Sequence, residues 1–215
     1  MGQFGFGQPV LRREDSRLVT GAGRFIDDEA APGFAQAVML RSPHGHARID
    51  RLDVAAARRA PGVLLVLTAA DIRRAGLGKL ACLTRPSLGP GSPYAERLQP
   101  LLVDDVARYV GDGVAFVVAE TLGCARDAAE LVEVDYTPLP AVLGADRAGA
   151  PDAALVWPDV PGNLSFVWEL GDRAATQAAF AKAAHVVKRR FHNNRVMLSA
   201  METRGALAEY DGATG

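Results

Sequence analysis

The sequence predicts an α/β fold, and the stretch from 106 to 140 carries most of that prediction. Residues 113–119 form a short, valine-rich apolar run beside glycines, which is typical of a strand covered on both faces. Thr121 is a suitable N-cap for a helix over 122–131, where apolar residues recur at three- and four-residue spacing. Apolar and acidic residues then alternate over 132–136, as in a half-buried strand. Strand, helix and strand in succession define an α/β unit.

Further elements are predicted on both sides of this unit. Apolar runs predict strands, and alanine-rich runs that follow a capping residue predict helices. The predicted strands are 36–41, 47–53, a buried strand at 63–67, 166–170, 186–191 and 206–210. The predicted helices are 54–60, one that begins after the N-cap Thr68, and 174–184, which follows the N-cap Asp172 and buries Phe180. Segments rich in Gly and Pro predict an extended arm over 1–33, a long loop over 76–101 and a linker over 144–161.

The composition excludes several classes of function. The chain has 215 residues, of which 49% are apolar and 23% charged, as in ordinary globular domains. A net charge of −1 provides no field to attract nucleic acid or an anionic membrane. Two distant cysteines, Cys82 and Cys124, argue against a disulfide framework or an iron–sulfur cluster and favour a reducing compartment. The sequence shows neither a run of about 18 apolar residues nor an apolar signal region at its start, so we expect a cytoplasmic protein.

Several motifs invite a sharper function, but each has a plainer interpretation. The glycine-rich segment 2–7 precedes any strand–helix unit, so it lacks the context of a phosphate cradle and is interpreted as an arm. His44 and His46 share one strand face near Asp50, which is a spacing seen in metal sites. Residues 76–79 lack the earlier glycine and the Ser or Thr of a P-loop. Cys124 is interpreted as core packing, and Trp157 and Trp168 as anchors for the linker and the following strand.

A series of short motifs along the chain resembles one known family when taken in order. The motifs are Arg13-Glu14-Asp15, Leu18–Gly21, Arg24–Asp28, Leu40–His44, His46–Ile49, Pro61-Gly62-Val63, Leu67–Asp71, Tyr109–Ala115, Glu133–Ala141 and Met201–Gly205. Their succession resembles the large, molybdopterin-binding subunit of the xanthine dehydrogenase/aldehyde oxidase family of molybdenum hydroxylases. The carbon monoxide dehydrogenase-like branch is the most similar. The resemblance also places His44 and His46 in a structural turn.

The resemblance implies a domain plan. Residues 1–19 would be an N-terminal extended arm, and 20–145 the family's α/β hammerhead domain, which is an α+β fold. A linker over 146–162 would lead to 163–215, the truncated start of the molybdopterin-binding domain. The Asp-Gly turn signal near residue 212 calls for a returning strand that this sequence does not contain. The sequence therefore predicts an incomplete cofactor domain.

The resemblance also predicts what this chain lacks. In the family, the pterin-binding loops and the glutamate base lie beyond the matched motifs, so no catalytic, cofactor-binding or metal-binding residue is predicted here. Glu202 is interpreted as forming a structural ion pair with Arg204 or a neighbouring arginine. The predicted function is an N-terminal fragment or split subunit of a molybdenum-cofactor-dependent oxidoreductase, with a structural and docking role. Molybdopterin would belong to the complete enzyme, and iron–sulfur and FAD centres to partner subunits.

An alternative function remains open on the residues alone. The chain would then be a stand-alone hammerhead-like module that binds a partner without chemistry. The two hypotheses differ in what they predict for 163–210, which exposes an apolar face in the first and forms a self-contained sheet in the second. Exposed strand edges after residue 185 would also favour a homo-oligomer.

Overall fold

The computed structural model describes residues 11–29, 33–82, 94–194, 196–200 and 202–213, so the glycine-rich segment 2–7 lies outside the described residues. The helices are α1 Asp15–Val19, α2 Ala55–Arg58, α3 Ala69–Arg74, α4 Leu122–Glu130, α5 Ala145–Ala148 and α6 Arg173–Lys182. The strands are β1 Gln36–Arg41, β2 Ala47–Asp53, β3 Val63–Thr68, β4 Val106–Ala107, β5 Gly113–Ala119 and β6 Glu133–Pro138. Short 3₁₀ turns lie at Ile26–Asp28 and Pro161–Asn163. The chain forms two compact units, Ala35–Val186 and Met1–Phe34 with Val187–Gly215.

The first sheet is antiparallel and has the order β1-β5-β3. Val117 of β5 lies between Val38 of β1 and Val66 of β3, so β-branched side chains align across the three strands. Helix α4 covers this sheet with Ala125 and Ala128, which are fully buried. Small residues on the helix allow its backbone to approach the sheet closely. The prediction of a strand buried on both faces at 113–119 is confirmed.

The second sheet is also antiparallel, with the order β4-β2-β6. Ile49 of β2 pairs with Tyr136 of β6, and both contribute to a second small core with Val114. On the outer face, Arg51 forms a 2.7 Å ion pair with Asp135 of the neighbouring strand. The predicted α/β class is confirmed, but β5 and β6 belong to different sheets, so α4 connects two sheets instead of crossing over within one.

Strand β3 corrects one prediction. Its apolar sequence predicted burial on both faces, yet Leu64 and Leu65 are exposed. The strand lies at the edge of its sheet, and its register shifts between Val63 and Leu65, so only Val66 is fully covered. An apolar run does not reveal whether its strand will lie at the centre or at the edge.

The C-terminal part corrects four more predictions. Within the described residues, the segments 166–170, 186–191 and 206–210 form no strand, and only Phe166 makes an isolated bridge, to Tyr94. Helix α6 begins after its N-cap Asp172, as predicted, but Phe180 is 61% exposed instead of buried. Each of these elements requires a neighbouring element that pairs with it or covers it, and the local sequence pattern does not show whether such a neighbour is present.

Among the described residues, no helix has both the length and the apolar character needed to cross a bilayer.

The start of α3 carries a charged cap whose effect on stability depends on pH. Asp71 accepts hydrogen bonds from the Thr68 hydroxyl (2.8 Å) and the Thr68 backbone N–H (2.9 Å), and Arg58 pairs with it at 2.9 Å. These interactions, the Thr68 hydroxyl foremost, lower the pKa of Asp71 below its ordinary value of 3.8. The folded state therefore stabilises the ionised form of Asp71 more than the unfolded state does.

We expect Asp71→Asn to lower the free energy of unfolding by about 1 kcal/mol at neutral pH. The folded-state pKa is depressed, so the wild-type advantage is present above 3.8 and is lost as the pH falls through the lower folded-state value. Urea unfolding from about pH 7 to about pH 3 measures the difference. Asp127→Asn, on the exposed side of α4, is the control and should change little. A difference that does not vary with pH would contradict this account of the cap.

Candidate assembly site

A groove forms where the loop after residue 93 meets the chain near residue 165. The Ala95 N–H donates to the Ser165 carbonyl (2.8 Å), and the Ser165 hydroxyl donates to the Ala95 carbonyl (3.3 Å). The rings of Tyr94 and Phe166 meet edge to face, with centroids 6.1 Å apart. These contacts hold residues 94–95 against residues 165–166.

The linker is held by an aromatic ring between two arginines. The guanidinium of Arg108 lies 3.8 Å from the centroid of Trp157, and that of Arg97 lies 5.6 Å from it. Arg97 also forms an ion pair with Asp159, and Arg108 donates to the Val106 carbonyl at 3.0 Å. The prediction that Trp157 anchors the linker is confirmed. Arg97 and the terminal nitrogens of Arg108 already have partners, whereas the buried Nε of Arg108 has none among the described residues. A cavity of about 250 Å³ lies beside these side chains, and Trp157 is part of its lining.

Asn163 is a structural residue that the sequence analysis did not single out. Its side-chain amide donates to the carbonyls of Ala148 and Ala154, both at 2.9 Å, and its oxygen accepts from the Val156 N–H at 2.8 Å. Its backbone has φ +54°, a left-handed conformation that asparagine tolerates better than most residues. The signal that could have revealed it is an asparagine directly after Pro161-Gly162, at a turn.

The groove itself has a volume of about 330 Å³ and a mainly apolar lining. Its lining residues are Tyr94, Ala95, Asp159, Val160, Pro161, Leu164, Ser165 and Phe166. Leu164 is 54% exposed and Phe166 41% exposed, so both present apolar surface to anything that enters. The one charged group is the carboxylate of Asp159. Molybdopterin, the cofactor implied by the resemblance, carries an anionic phosphate, and this lining of carboxylate and apolar side chains does not fit it.

Large apolar side chains are exposed in both units over the predicted cofactor-domain segment. In the unit Ala35–Val186 they are Leu164, Phe166, Val167, Trp168, Leu170, Phe180 and Val186. In the other unit they are Val187, Phe191, Val196, Met197, Leu198, Leu207 and Tyr210. The apolar exposure that the fragment hypothesis predicted for 163–210 is therefore found at these positions. Trp168, predicted to anchor the strand 166–170, is 55% exposed in a segment that forms no strand, so this prediction is wrong.

The histidine motif has a structural role. The Nδ1 atom of His46 lies 2.8 Å from the Pro140 carbonyl, and the ring of His44 packs against Tyr136 with centroids 4.9 Å apart. Hydrogen bonds from Thr137 and Arg48 lower the pKa of Asp50, so its carboxylate is already engaged. Over the part of the chain that the structure describes, no three side chains of His, Cys, Asp or Glu are grouped as a metal site.

Glu202 and Cys124 occupy specific places. The Glu202 carboxylate accepts a hydrogen bond from the backbone N–H of Ile26 at 3.0 Å. The predicted ion pair with Arg204 or a neighbouring arginine is not found among the described residues. Cys124 is half-buried on α4, with its sulfur directly against Gly62. Its predicted packing role is confirmed in this contact. Cys82, in contrast, is exposed.

Comparison with known proteins identifies the two parts of the chain. Residues 20–140, more than half of the chain, match the family model described as "Aldehyde oxidase and xanthine dehydrogenase, a/b hammerhead domain". Residues 156–215 match the model of the molybdopterin cofactor-binding domain. The chain therefore belongs to the aldehyde oxidase and xanthine dehydrogenase family, and the resemblance found in its motifs is confirmed.

Individual relatives point to large subunits of this family. The carbon monoxide dehydrogenase large chain of Afipia carboxidovorans is 37% identical over 98% of this chain and 26% of that one. The nicotine 6-hydroxylase large subunit of Paenarthrobacter nicotinovorans is 40% identical over 95% of this chain and 24% of its own length. The structure of reconstituted CO dehydrogenase from Oligotropha carboxidovorans superposes with a TM-score of 0.66 at 37% identity, over 84% of this chain and 23% of that one. The chain thus spans about a quarter of the length of the curated relatives that it matches.

Proposed function

We propose that this chain is a non-catalytic part of the large subunit of a molybdenum-cofactor-dependent oxidoreductase of the aldehyde, xanthine or carbon monoxide type. Its role is to provide a scaffold and a docking surface for the rest of the cofactor-binding domain, as an N-terminal fragment or as a split subunit. One observation carries the proposal: large apolar side chains stay exposed over the segment that matches the cofactor-binding domain model. The boundaries proposed for the domains are 1–19, 20–145, 146–162 and 163–215.

The exposed side chains supply the driving force for assembly. Burying one Leu or Phe side chain contributes about 1.5–3 kcal/mol. Covering four large exposed side chains around residue 166 (Leu164, Phe166, Trp168 and Leu170) therefore gives a substantial free energy of association. Exposed apolar surface of this kind typically marks an interaction site. The groove between Tyr94 and Phe166 offers a defined place for an apolar segment of the partner to enter.

The chemistry is assigned to the partner polypeptides. Hydroxylation of this type requires a metal centre that activates a hydroxide and a positioned carboxylate that accepts its proton. We assign neither to this chain: His44 and His46 make structural contacts, and Glu202 already serves as a hydrogen-bond acceptor. The proposed complex also contains iron–sulfur and flavin subunits, and we expect it in the cytoplasm.

A reconstitution experiment tests this function. The chain is expressed alone and together with the polypeptide encoded immediately downstream, and each product is purified. Molybdenum is measured by elemental analysis, and activity by dye reduction that depends on an aldehyde or a purine. We expect stoichiometric molybdenum only in the co-purified complex. A chain that remains alone, monomeric and compactly folded without molybdenum would instead support a stand-alone binding module.

A further inference from the structure

The 3₁₀ turn Ile26–Asp28 begins in a way that leaves one backbone donor without a local partner. Its N-cap is Phe25, whose side chain has no oxygen to accept a hydrogen bond from the first turn. The Asp28 carboxylate accepts from the Phe25 N–H at 2.9 Å, so that donor is satisfied within the turn. The N–H of Ile26 instead donates to Oε1 of Glu202, 176 residues further along the chain, at 3.0 Å. A remote carboxylate thus supplies the cap that the local sequence lacks.

A close packing contact supports the same docking. A Cβ atom placed on Gly205 would lie 3.0 Å from Cγ2 of Ile26 and 3.2 Å from its Cδ1. Real Cβ atoms rarely come that close, so the missing side chain of Gly205 allows Ile26 to approach the backbone. A 3.0 Å ion pair between Arg24 and Glu29 spans the turn. Polar and steric contacts therefore bring residues 24–29 against residues 202–205 within a single compact unit.

We propose that Glu202 is a positioning residue, which seats the N-terminal arm turn (residues 24–29) on residues 202–205. It acts through its oxygen as a hydrogen-bond acceptor and does not act as a proton acceptor. The side chain of glutamine keeps an acceptor oxygen but carries no charge and cannot serve as a base. Glu202→Gln should therefore preserve this role, whereas it would abolish the role of a base or of an ion-pair partner. It does not depend on the proposed function, because both contact partners belong to this chain.

Hydrogen exchange of the Ile26 amide, followed by NMR on the full chain, tests the proposal. Glu202 is far from Ile26 in sequence, so substitutions there leave the intrinsic exchange rate of that amide unchanged. In Glu202→Ala we expect the Ile26 amide to exchange roughly 3- to 10-fold faster than in wild type, as the loss of one hydrogen bond predicts. Glu202→Gln should stay within about twofold of wild type. Glu209→Ala, an exposed glutamate in the same segment, is the matched control and should have no effect.

A second variant tests the packing contact independently of the carboxylate. Gly205→Val keeps Glu202 but places a branched side chain where Ile26 lies, so we expect faster exchange at Ile26 and shifted Ile26 methyl signals. The proposal is overturned if Glu202→Ala leaves the rate unchanged, or if Glu202→Gln exchanges as fast as Glu202→Ala. The second result would mean that charge, and not the acceptor oxygen, holds the arm turn.

Discussion

Gly62→Ala should lower the free energy of unfolding by about 2–4 kcal/mol. Gly62 has φ +71°, where a side chain costs about 1–2 kcal/mol because Cβ crowds the carbonyl. A Cβ atom there would also lie 2.9 Å from the sulfur of Cys124, on the helix that covers the first sheet. The Gly62 carbonyl accepts from the Glu120 N–H at 2.8 Å, so the turn cannot move away without losing this bond. Urea unfolding monitored by circular dichroism measures the loss.

Two comparisons separate strain from steric conflict at Gly62. Gly149→Ala is the matched control: that glycine has φ −94° and open space around its Cβ position, so its unfolding free energy should change by less than about 0.5 kcal/mol. In a Cys124→Ala background, where the sulfur is absent, Gly62→Ala should cost only about 1–2 kcal/mol. An equal cost in both backgrounds would show that the contact with Cys124 contributes nothing.

The double substitution Leu164→Asp with Phe166→Asp should weaken capture of the downstream polypeptide by about 100-fold or more. Both side chains line the apolar groove and are about half exposed. Two carboxylates beside Asp159 would have to lose their hydration and repel one another when a partner covers the groove. Titration of the purified chain with the downstream polypeptide measures the affinity.

Leu143→Asp is the control for this substitution. Leu143 is 88% exposed and lies outside the groove, so the same chemical change there should leave binding within about threefold of wild type. Circular dichroism should show that all variants keep their secondary structure, because the two buried cores include none of the three residues. Equal weakening by both changes would indicate general repulsion and argue against the groove as the docking place.

Features with local causes followed from the sequence. The helix α4 was predicted because Thr121 caps it, and its hydroxyl accepts from the Cys124 N–H at 3.2 Å. The start of α3, where the Asp71 carboxylate accepts from the Thr68 N–H, and the start of α6, where the Asp172 carboxylate accepts from the Ala175 N–H, have the same kind of cause, namely a side chain bonding to backbone a few residues away. The family could also be inferred, because its motifs are short and occur in a fixed order.

Features that depend on a distant partner did not follow from the sequence. The two-residue strand β4 exists only because Ala47 of β2 pairs with Ala107, and β3 is an edge strand because no further strand pairs with it among the described residues. Phe180 is exposed and α6 has no buried residue, because burial depends on a neighbouring element and not on the pattern of the helix itself.

The sequence by itself therefore determined the α/β class, the family and most element positions, since these rest on interactions spanning fewer than about ten residues. Only the tertiary structure decided which strands lie at sheet edges, and that Glu202 caps the turn at Ile26. It also decided where the groove beside Phe166 forms. Each of these results from two segments meeting that are far apart in the chain, and the choice of partner depends on the packing of the whole unit and not on local periodicity.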